Sequence, residues 1–318
     1  MEIEALRARR AERRRQIRRR RLSAALIVAA IAAVIVIVVL ASGSGKGAHA
    51  VVDAARSSSS GASRAGVWAS SPVHARTGPP GTQAVPILMY HVIAAPPAGA
   101  PFPGLYVEPA EFAEQMHALA RAGWHAVTLD QVEEYWRRGV SLGAGKPIVI
   151  SFDNGYNSQY TQALPVLRSL GWVGDENIQL SGLPPSQGGL GAGQIRGLLA
   201  AGWELDTQGI SHADLITLDA AQLHDQVAVA RATLQRRYHA PVNWFCYPSG
   251  HYNATVVAAV KAAGFTGSTT VVPGWAHPDD DPYRLHRLRV LGGTTGRGLL
   301  ELVDGARADP PAPASYSA

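Results

Sequence analysis

The stretch Ser151-Phe152-Asp153-Asn154-Gly155-Tyr156 sets a carboxylate, an amide and a glycine turn directly after Lys146-Pro147-Ile148-Val149-Ile150. That apolar, β-branched run has the length and composition of a fully buried strand. In α/β folds chemistry gathers where such strands end. Other extended runs close in a similar way: on Tyr90 and His91, on Asp206, Thr207, Gln208 and then His212, on Tyr247 and Pro248, and around Arg287 and Arg289. An acid, an oxygen donor and an imidazole on neighbouring strands (Asp153, Asn154 and His212) suit a hard or borderline metal ion. Each also has a purely structural reading. Asp-Asn-Gly can be a turn that stops a strand, His91 can be a hydrogen-bonded core histidine, Tyr247-Pro248-Ser249-Gly250 can be an ordinary turn, and Asp206 can cap an element.

Strands and helices alternate along the part of the chain that must position these residues. Extended runs are expected at 85–91, 125–129, 146–150, 177–180, 204–207, 243–247 and 288–290. Helices are expected at 109–123, from Asp130 as cap to Arg138, at 159–170, 193–201, from Asp219 as cap through Tyr238, and at 254–263. Strand–helix units repeated every 25 to 40 residues or so imply a parallel α/β sheet, and about seven of them predict closure into a barrel. The strand ends then converge on one face.

The ends of the chain read differently. Residues 1–21 hold ten arginines against three glutamates. That excess of seven exceeds the whole chain's net charge of +5, so the remaining 297 residues sum to −2. The body therefore carries no general electrostatic case for nucleic acid. Residues 22–41 are apolar apart from Ser23, long enough for a bilayer, with the arginines on the cytoplasmic side. We expect a single transmembrane signal anchor, the alternative being a signal peptide cut after Ala50 and a secreted domain. Residues 42–84, rich in Ser, Gly, Ala and Pro, read as a disordered stalk, and 306–318 as a disordered tail. The folded unit is then 85–305, one domain in size. Cys246 is the sole cysteine, which rules out an internal disulfide and any multi-cysteine metal site.

Five segments in this order resemble the polysaccharide deacetylase family, carbohydrate esterases with the NodB-type domain. They are Pro86-Ile87-Leu88-Met89-Tyr90-His91, Ser151-Phe152-Asp153-Asn154-Gly155, Ser211-His212-Ala213-Asp214-Leu215, Phe245-Cys246-Tyr247-Pro248-Ser249-Gly250 and Arg287-Leu288-Arg289-Val290. The resemblance implies a distorted barrel of seven or eight strand–helix units. It also implies metal-dependent removal of acetyl groups from cell-surface polysaccharide or peptidoglycan, a hydrolase acting on carbon–nitrogen but not peptide bonds. Zinc or a similar divalent ion is the implied cofactor. Asp153 matches the family's base. Asn154 stands where the family has a metal-binding aspartate, Gln208 where it has the first metal-binding histidine, and His212 matches the second. Tyr247 and Pro248 match the segment that shapes the groove, with a backbone N–H near Tyr247 stabilising the oxyanion. Tyr90, His91, Tyr156 and Arg289 are the candidates for holding substrate, and Trp203, Trp244 and Trp275 can be sugar-stacking faces or core. The family's late catalytic histidine has no clear match, His286 being merely near.

Neutral amides suit hard cations better than zinc and usually need carboxylates beside them. Three functions follow: an active anchored deacetylase with an altered metal site, a metal-site-degenerate pseudoenzyme that binds glycan without hydrolysis, or an anchored scaffold.

Overall fold

The structure, a computed structural model, describes residues 78–183, 188–307 and 311–317. The expected arginine-rich tail, membrane anchor and most of the stalk lie outside them. Among the described residues no helix is long and apolar enough to cross a membrane.

In chain order the elements are β1 (Val85–Tyr90), α1 (Pro109–Arg121), β2 (Trp124–Val127), α2 (Leu129–Arg138), β3 (Lys146–Asn154), a π-helical turn (Gln159–Ala163) running into α3 (Leu164–Ser169), and β4 (Asp175–Ile178). They continue with α4 (Ala192–Ala200), β5 (Glu204–Thr207), α5 (Ala220–His224), a second π-helical turn (Asp225–Val229), α6 (Ala230–Tyr238), β6 (Trp244–Cys246) and α7 (Ala254–Ala262). The last are β7 (Gly267–Thr269), β8 (Trp275–Ala276), β9 (Leu288–Arg289) and α8 (Gly296–Gly305).

β3, the strand that ends on Asp153 and Asn154, is the hub of a curled, mainly parallel sheet ordered β7-β6-β5-β4-β3-β1-β8. Val149 pairs with both Ile87 and Val127, and Ser151 with both Met89 and Asp175. β1 therefore follows one edge of β3, while β2 and β4 share the other end to end. The segment after Arg284 touches both outer edges: Leu285 bridges Thr269 of β7, and β9 pairs with β1 through Leu288 and Leu88. The expected distorted barrel takes the form of a curled, half-barrel sheet whose seam is thin. Its cause is local: between β7 and β9 the chain makes a short antiparallel strand and a single 3-10 turn instead of a helical crossover.

Side-chain alternation divides the sheet. Leu88, Tyr90, Ile148, Ile150 and Phe152 face the helices and pack with Phe112, Met116, Leu167 and Trp203. Ile87, Val149, Trp244 and Leu285 plug the base of the opposite, concave face with Val127 and Val132. Above that plug the concave face turns polar, and the candidate site lies there.

Several local expectations shift. Thr128, not Asp130, caps α2, its Oγ1 accepting from Gln131 N at 3.3 Å. Asp130 lies one residue into the helix and accepts from Asn243 Nδ2 and Trp244 Nε1. α8 was not anticipated; its Leu299 and Val303 complete the core against α1. The expected disordered tail is ordered over 311–317: Tyr316 pairs antiparallel with Tyr252, whose hydroxyl donates to Pro313 O at 2.8 Å. The stalk's final residues are also seated, Gly78 N and Gly81 N donating to Arg138 O and Tyr135 O. In both segments backbone pairing supplies the order that composition does not.

Candidate active site

Asp153 reaches the carboxyl end of β3 at 2 % exposure and is clamped from three sides. Arg287 donates to both its oxygens, Nη1 to Oδ1 at 2.7 Å and Nη2 to Oδ2 at 2.9 Å. Asn177 Nδ2 donates to Oδ1 at 3.0 Å, and the Cys246 thiol approaches Oδ2 at 3.5 Å. His91 Nε2 stands 4.0 Å from Oδ2. Burial pushes the Asp153 carboxyl upward, but the charge and paired hydrogen bonds of Arg287, with His91 and Asn177, outweigh it and hold it below its usual value. Asp153 is therefore an anion at neutral pH.

Arg287 is itself satisfied on every side. Its remaining donors go to Ser151 Oγ at 3.1 Å, Thr270 O at 2.8 Å and Cys246 Sγ at 3.1 Å. The planar fork of a guanidinium is required for that pattern. Burial lowers the His91 imidazole to about 4, Asp153 offsetting only part of the effect, so the ring is neutral at pH 7. Burial likewise lowers His212 and pushes the Cys246 thiol up to about 12.

The π-helical turn after β3 has a clear role. Its first residue, Gln159, is buried and donates through Nε2 to both His91 O and Asp153 O at 2.8 Å. It thereby ties the ends of β1 and β3 together, a use of π turns common at functional sites. Asn154 sits at φ 77° and His212 at φ 53°, a left-handed backbone that asparagine and histidine tolerate better than most residues. The Tyr247-Pro248-Ser249-Gly250 turn needs its glycine: Gly250 has φ +76°, and a Cβ there would stand 2.2 Å from Val271 Cγ2.

These groups surround a cleft of about 320 Å³ lined by His91, Asp153, Asn154, Tyr156, Gln208, His212 and Arg289, with Tyr247 and Ser249 on one wall. Phe102, 68 % exposed, stands at its rim beside Leu105. The structure thus gathers Asp153, Asn154, Gln208, His212, His91, Tyr156 and Arg289, as expected.

Three expectations change, and one open alternative is settled. Tyr90 is core: it points to the helix side, packs on Phe112 and Phe152, and donates its hydroxyl to Gln115 Oε1 at 2.7 Å. One residue of strand alternation separates it from His91. The Tyr247 side chain is also turned away, donating to Tyr283 O at 2.9 Å, and its backbone N–H already makes a long 3.4 Å bond to Thr269 O. Pro248 is buried and shapes the turn without facing the cleft. Trp203 and Trp244 are core, and Trp275 is half-buried with its indole N–H on Val303 O. The exposed aromatic is Phe102.

The metal implied by the resemblance does not fit the residues at its position. Gln208 Oε1 accepts from Asn154 N at 3.0 Å, and Gln208 Nε2 donates to Cys246 Sγ at 3.2 Å. Both ends of the amide are engaged within the protein. The neighbouring anion, Asp153, is held bidentately by Arg287. What is left for a dication is one amide and one imidazole, a neutral and incomplete set.

Sequence reasoning missed Arg287 as the partner of Asp153, and it missed Asn177 and Gln159 altogether. The alternation Arg287-Leu288-Arg289 carried a usable signal, because a charged residue two positions from an exposed one must share its side of the strand.

Comparison with known proteins agrees with the fold. A sequence model of the family described as polysaccharide deacetylase matches residues 142–268. YxkH, a candidate polysaccharide deacetylase of Bacillus subtilis (strain 168), is 28 % identical over 213 residues, covering 67 % of this chain and 73 % of that one. BA0330, a candidate polysaccharide deacetylase of Bacillus anthracis, superposes with a TM-score of 0.62 at 25 % identity, over 70 % of this chain and 69 % of its own. Deacetylase PplD of Streptococcus pyogenes, solved in complex with acetate, shares the fold with a TM-score of 0.64 at 22 % identity, covering 70 % and 99 %.

Proposed function

The chain belongs to the polysaccharide deacetylase family, and from that premise we propose that its cleft receives an acetylated sugar of cell-surface polysaccharide or peptidoglycan. Members of the family typically use a divalent metal to polarise the acetyl carbonyl and activate water. The observation that carries our reading is the closed amide pair: Asn154 N–H on Gln208 Oε1, with Gln208 Nε2 on Cys246. It converts the metal position into a self-satisfied hydrogen-bonding wall. We read the domain as one that recognises acetylated glycan without the family's metal-assisted turnover.

This chain's residues suit that task. Asp153 is an anion that accepts a sugar O–H or acetamide N–H. His91 is a neutral ring 4.0 Å away, able to donate or accept. Phe102 offers an apolar face for a pyranose, and Arg289, exposed at the rim, fits an acidic substituent.

A second reading, hydrolysis of the acetamide carbon–nitrogen bond, is favoured by one observation: Asp153 stays ionised and faces the cleft. In that reading Asp153 takes a proton from the attacking water, and the same proton passes by way of the neutral His91 ring, 4.0 Å away, to the leaving nitrogen as the carbon–nitrogen bond breaks. The span expected at 22–41 supports an extracytoplasmic domain held at the membrane; fractionation of cells, with protease access to intact cells, tests this.

The deciding experiment measures metal content, acetate release and binding with a panel of chitooligosaccharides and peptidoglycan fragments. Glycan binding with neither bound zinc or other transition metal nor acetate release supports the first reading, and acetate release by the unmodified protein overturns it. The double variant N154D/Q208H should gain bound zinc and deacetylation. Absence of glycan binding would instead favour the scaffold role.

A further inference from the structure

At the amino-terminal end of β4 and β5, below the candidate site, the concave face carries three carboxylates that nothing above has used. Two rows cross the sheet in register: Ser151, Asp175 and Glu204 in one, and Asp153, Asn177 and Asp206 in the next. Asp175, Glu204 and Asp206 each present a carboxylate oxygen to a common point, these atoms lying within 4.8 Å of one another. Asp175 and Asp206 are fully buried, and Glu204 is half-buried.

The three side chains are held in the same manner. One oxygen of each accepts a backbone N–H: Leu129 N on Asp175 Oδ2 at 2.9 Å, Asp130 N on Glu204 Oε2 at 3.0 Å, and Trp244 N on Asp206 Oδ1 at 2.8 Å. The other oxygen of each, Asp175 Oδ1, Glu204 Oε1 and Asp206 Oδ2, is buried and meets no donor from elsewhere in the protein, Glu204 and Asp206 lying close enough to share a proton when no ion is bound. None of the ion pairs among the described residues reaches these carboxylates. Asp130, the nearest further acid, is engaged by Asn243 Nδ2 and Trp244 Nε1. Buried polar atoms almost always find partners, and three orphaned oxygens converging on one point are a specific exception.

We propose that Asp175, Glu204 and Asp206 bind a hard divalent cation, calcium, at the place where β2 hands its edge of β3 to β4. Calcium takes oxygens at about 2.3–2.6 Å, so two of its ligands stand no more than about 5.2 Å apart, a limit met by these oxygens, which all lie within 4.8 Å of one another. Calcium's flexible coordination accepts oxygens whose positions the sheet has already set, whereas magnesium demands near-ideal octahedral geometry. The ion fills a gap in the sheet: β2 ends at Val127, β4 begins at Asp175, and the amino end of α2 points its first N–H groups at the carboxylates. Its role is structural, because that end of a parallel strand sheet governs stability more than chemistry. One row above, Asn177 donates to Asp153, so the ion also fixes the strand that orients the candidate base.

The test uses the full-length protein stripped with chelator and titrated with calcium. Calorimetry should show one saturable site, and melting should rise by several degrees. Terbium, a calcium surrogate, should luminesce on tryptophan excitation, since the Trp244 indole lies 3.1 Å from Asp130, and calcium should quench that signal. D175N and E204Q should each weaken calcium more than tenfold, with circular dichroism confirming the fold. E204Q, at a half-buried strand start, is the variant that keeps the test open should D175N not fold. H212A should leave calcium binding unchanged, separating this site from the cleft above. No calcium uptake by the unmodified protein at millimolar calcium, as expected if the acids share protons instead, overturns the proposal. So does binding that survives both acid substitutions, or binding that is lost in H212A.

Discussion

Replacing Arg287 with methionine removes the charge of the best-enclosed ion pair in the domain while keeping most of the side chain's bulk. In the native protein the two side chains are 0 % and 3 % exposed and share two hydrogen bonds of 2.7 and 2.9 Å. Without Arg287, Asp153 keeps Asn177, the thiol and His91 but stays buried beside no full charge. Breaking one partner of a buried pair costs about 3–5 kcal/mol, and for a domain of this size each kcal/mol is worth about 2–4 °C. R287M should therefore melt about 10 °C lower at pH 7.5. The sign of the pH dependence follows from the direction of the Asp153 shift. With Arg287 present the carboxyl is held below its usual value, so its contribution is complete above about pH 4 and is lost only as pH falls through the lowered value. Without Arg287, burial, the largest influence on Asp153, outweighs Asn177 and His91 and raises the carboxyl, so stability declines as pH climbs above about 4. The melting difference between native protein and R287M should then be clearly smaller at pH 5 than at pH 8. Adding D153N removes the stranded charge, and the double variant should recover about 2 kcal/mol or more relative to R287M. Chemical denaturation of the three proteins across this pH range makes the measurement. Equal losses at pH 5 and pH 8, together with no recovery on adding D153N, would refute the reasoning.

Two further outcomes are expected. Because burial lowers the His91 imidazole from 6.5 to about 4, the folded state binds fewer protons than the unfolded one in that interval; stability should fall as pH drops from about 6.5 to about 4, by at most about 3 kcal/mol, and H91N should flatten this slope in pH-dependent melts. Glu176, 1 % exposed with both carboxylate oxygens unpartnered, is pushed well above the usual carboxylate value, first by burial and then by Asp153. Its penalty grows as pH rises above about 4.3, so E176Q should stabilise the protein by about 1–3 kcal/mol at neutral pH, and a less stable variant there would count against the assignment.

The sequence by itself determined the elements whose patterns are local. Apolar run length marked β1 and β3, Asp219 marked a helix start, and the strand-end polar residues identified the face on which His91, Asp153, Gln208 and His212 meet. It also exposed Asn154 and Gln208 as the wrong residue types for a strong metal site, because ligand chemistry is a property of the side chain and not of its surroundings. What tertiary structure decided was orientation and partnership. Tyr90 and His91 are adjacent, yet strand alternation sends one into the helix layer and the other into the cleft. Asp130 reads as the cap of α2 on paper, yet Thr128 takes that place and Asp130 is engaged instead by Asn243 and Trp244. Arg287 lies 134 residues from Asp153, and no local signal joins them; the pair exists because the segment after Arg284 returns to close the seam beside β1. The acidic cluster is likewise invisible in sequence, since Asp175, Glu204 and Asp206 become neighbours only through the pairing of β4 with β5. Composition and periodicity act within a few residues, whereas charge pairing in a low-dielectric interior depends on which distant strands a fold brings side by side.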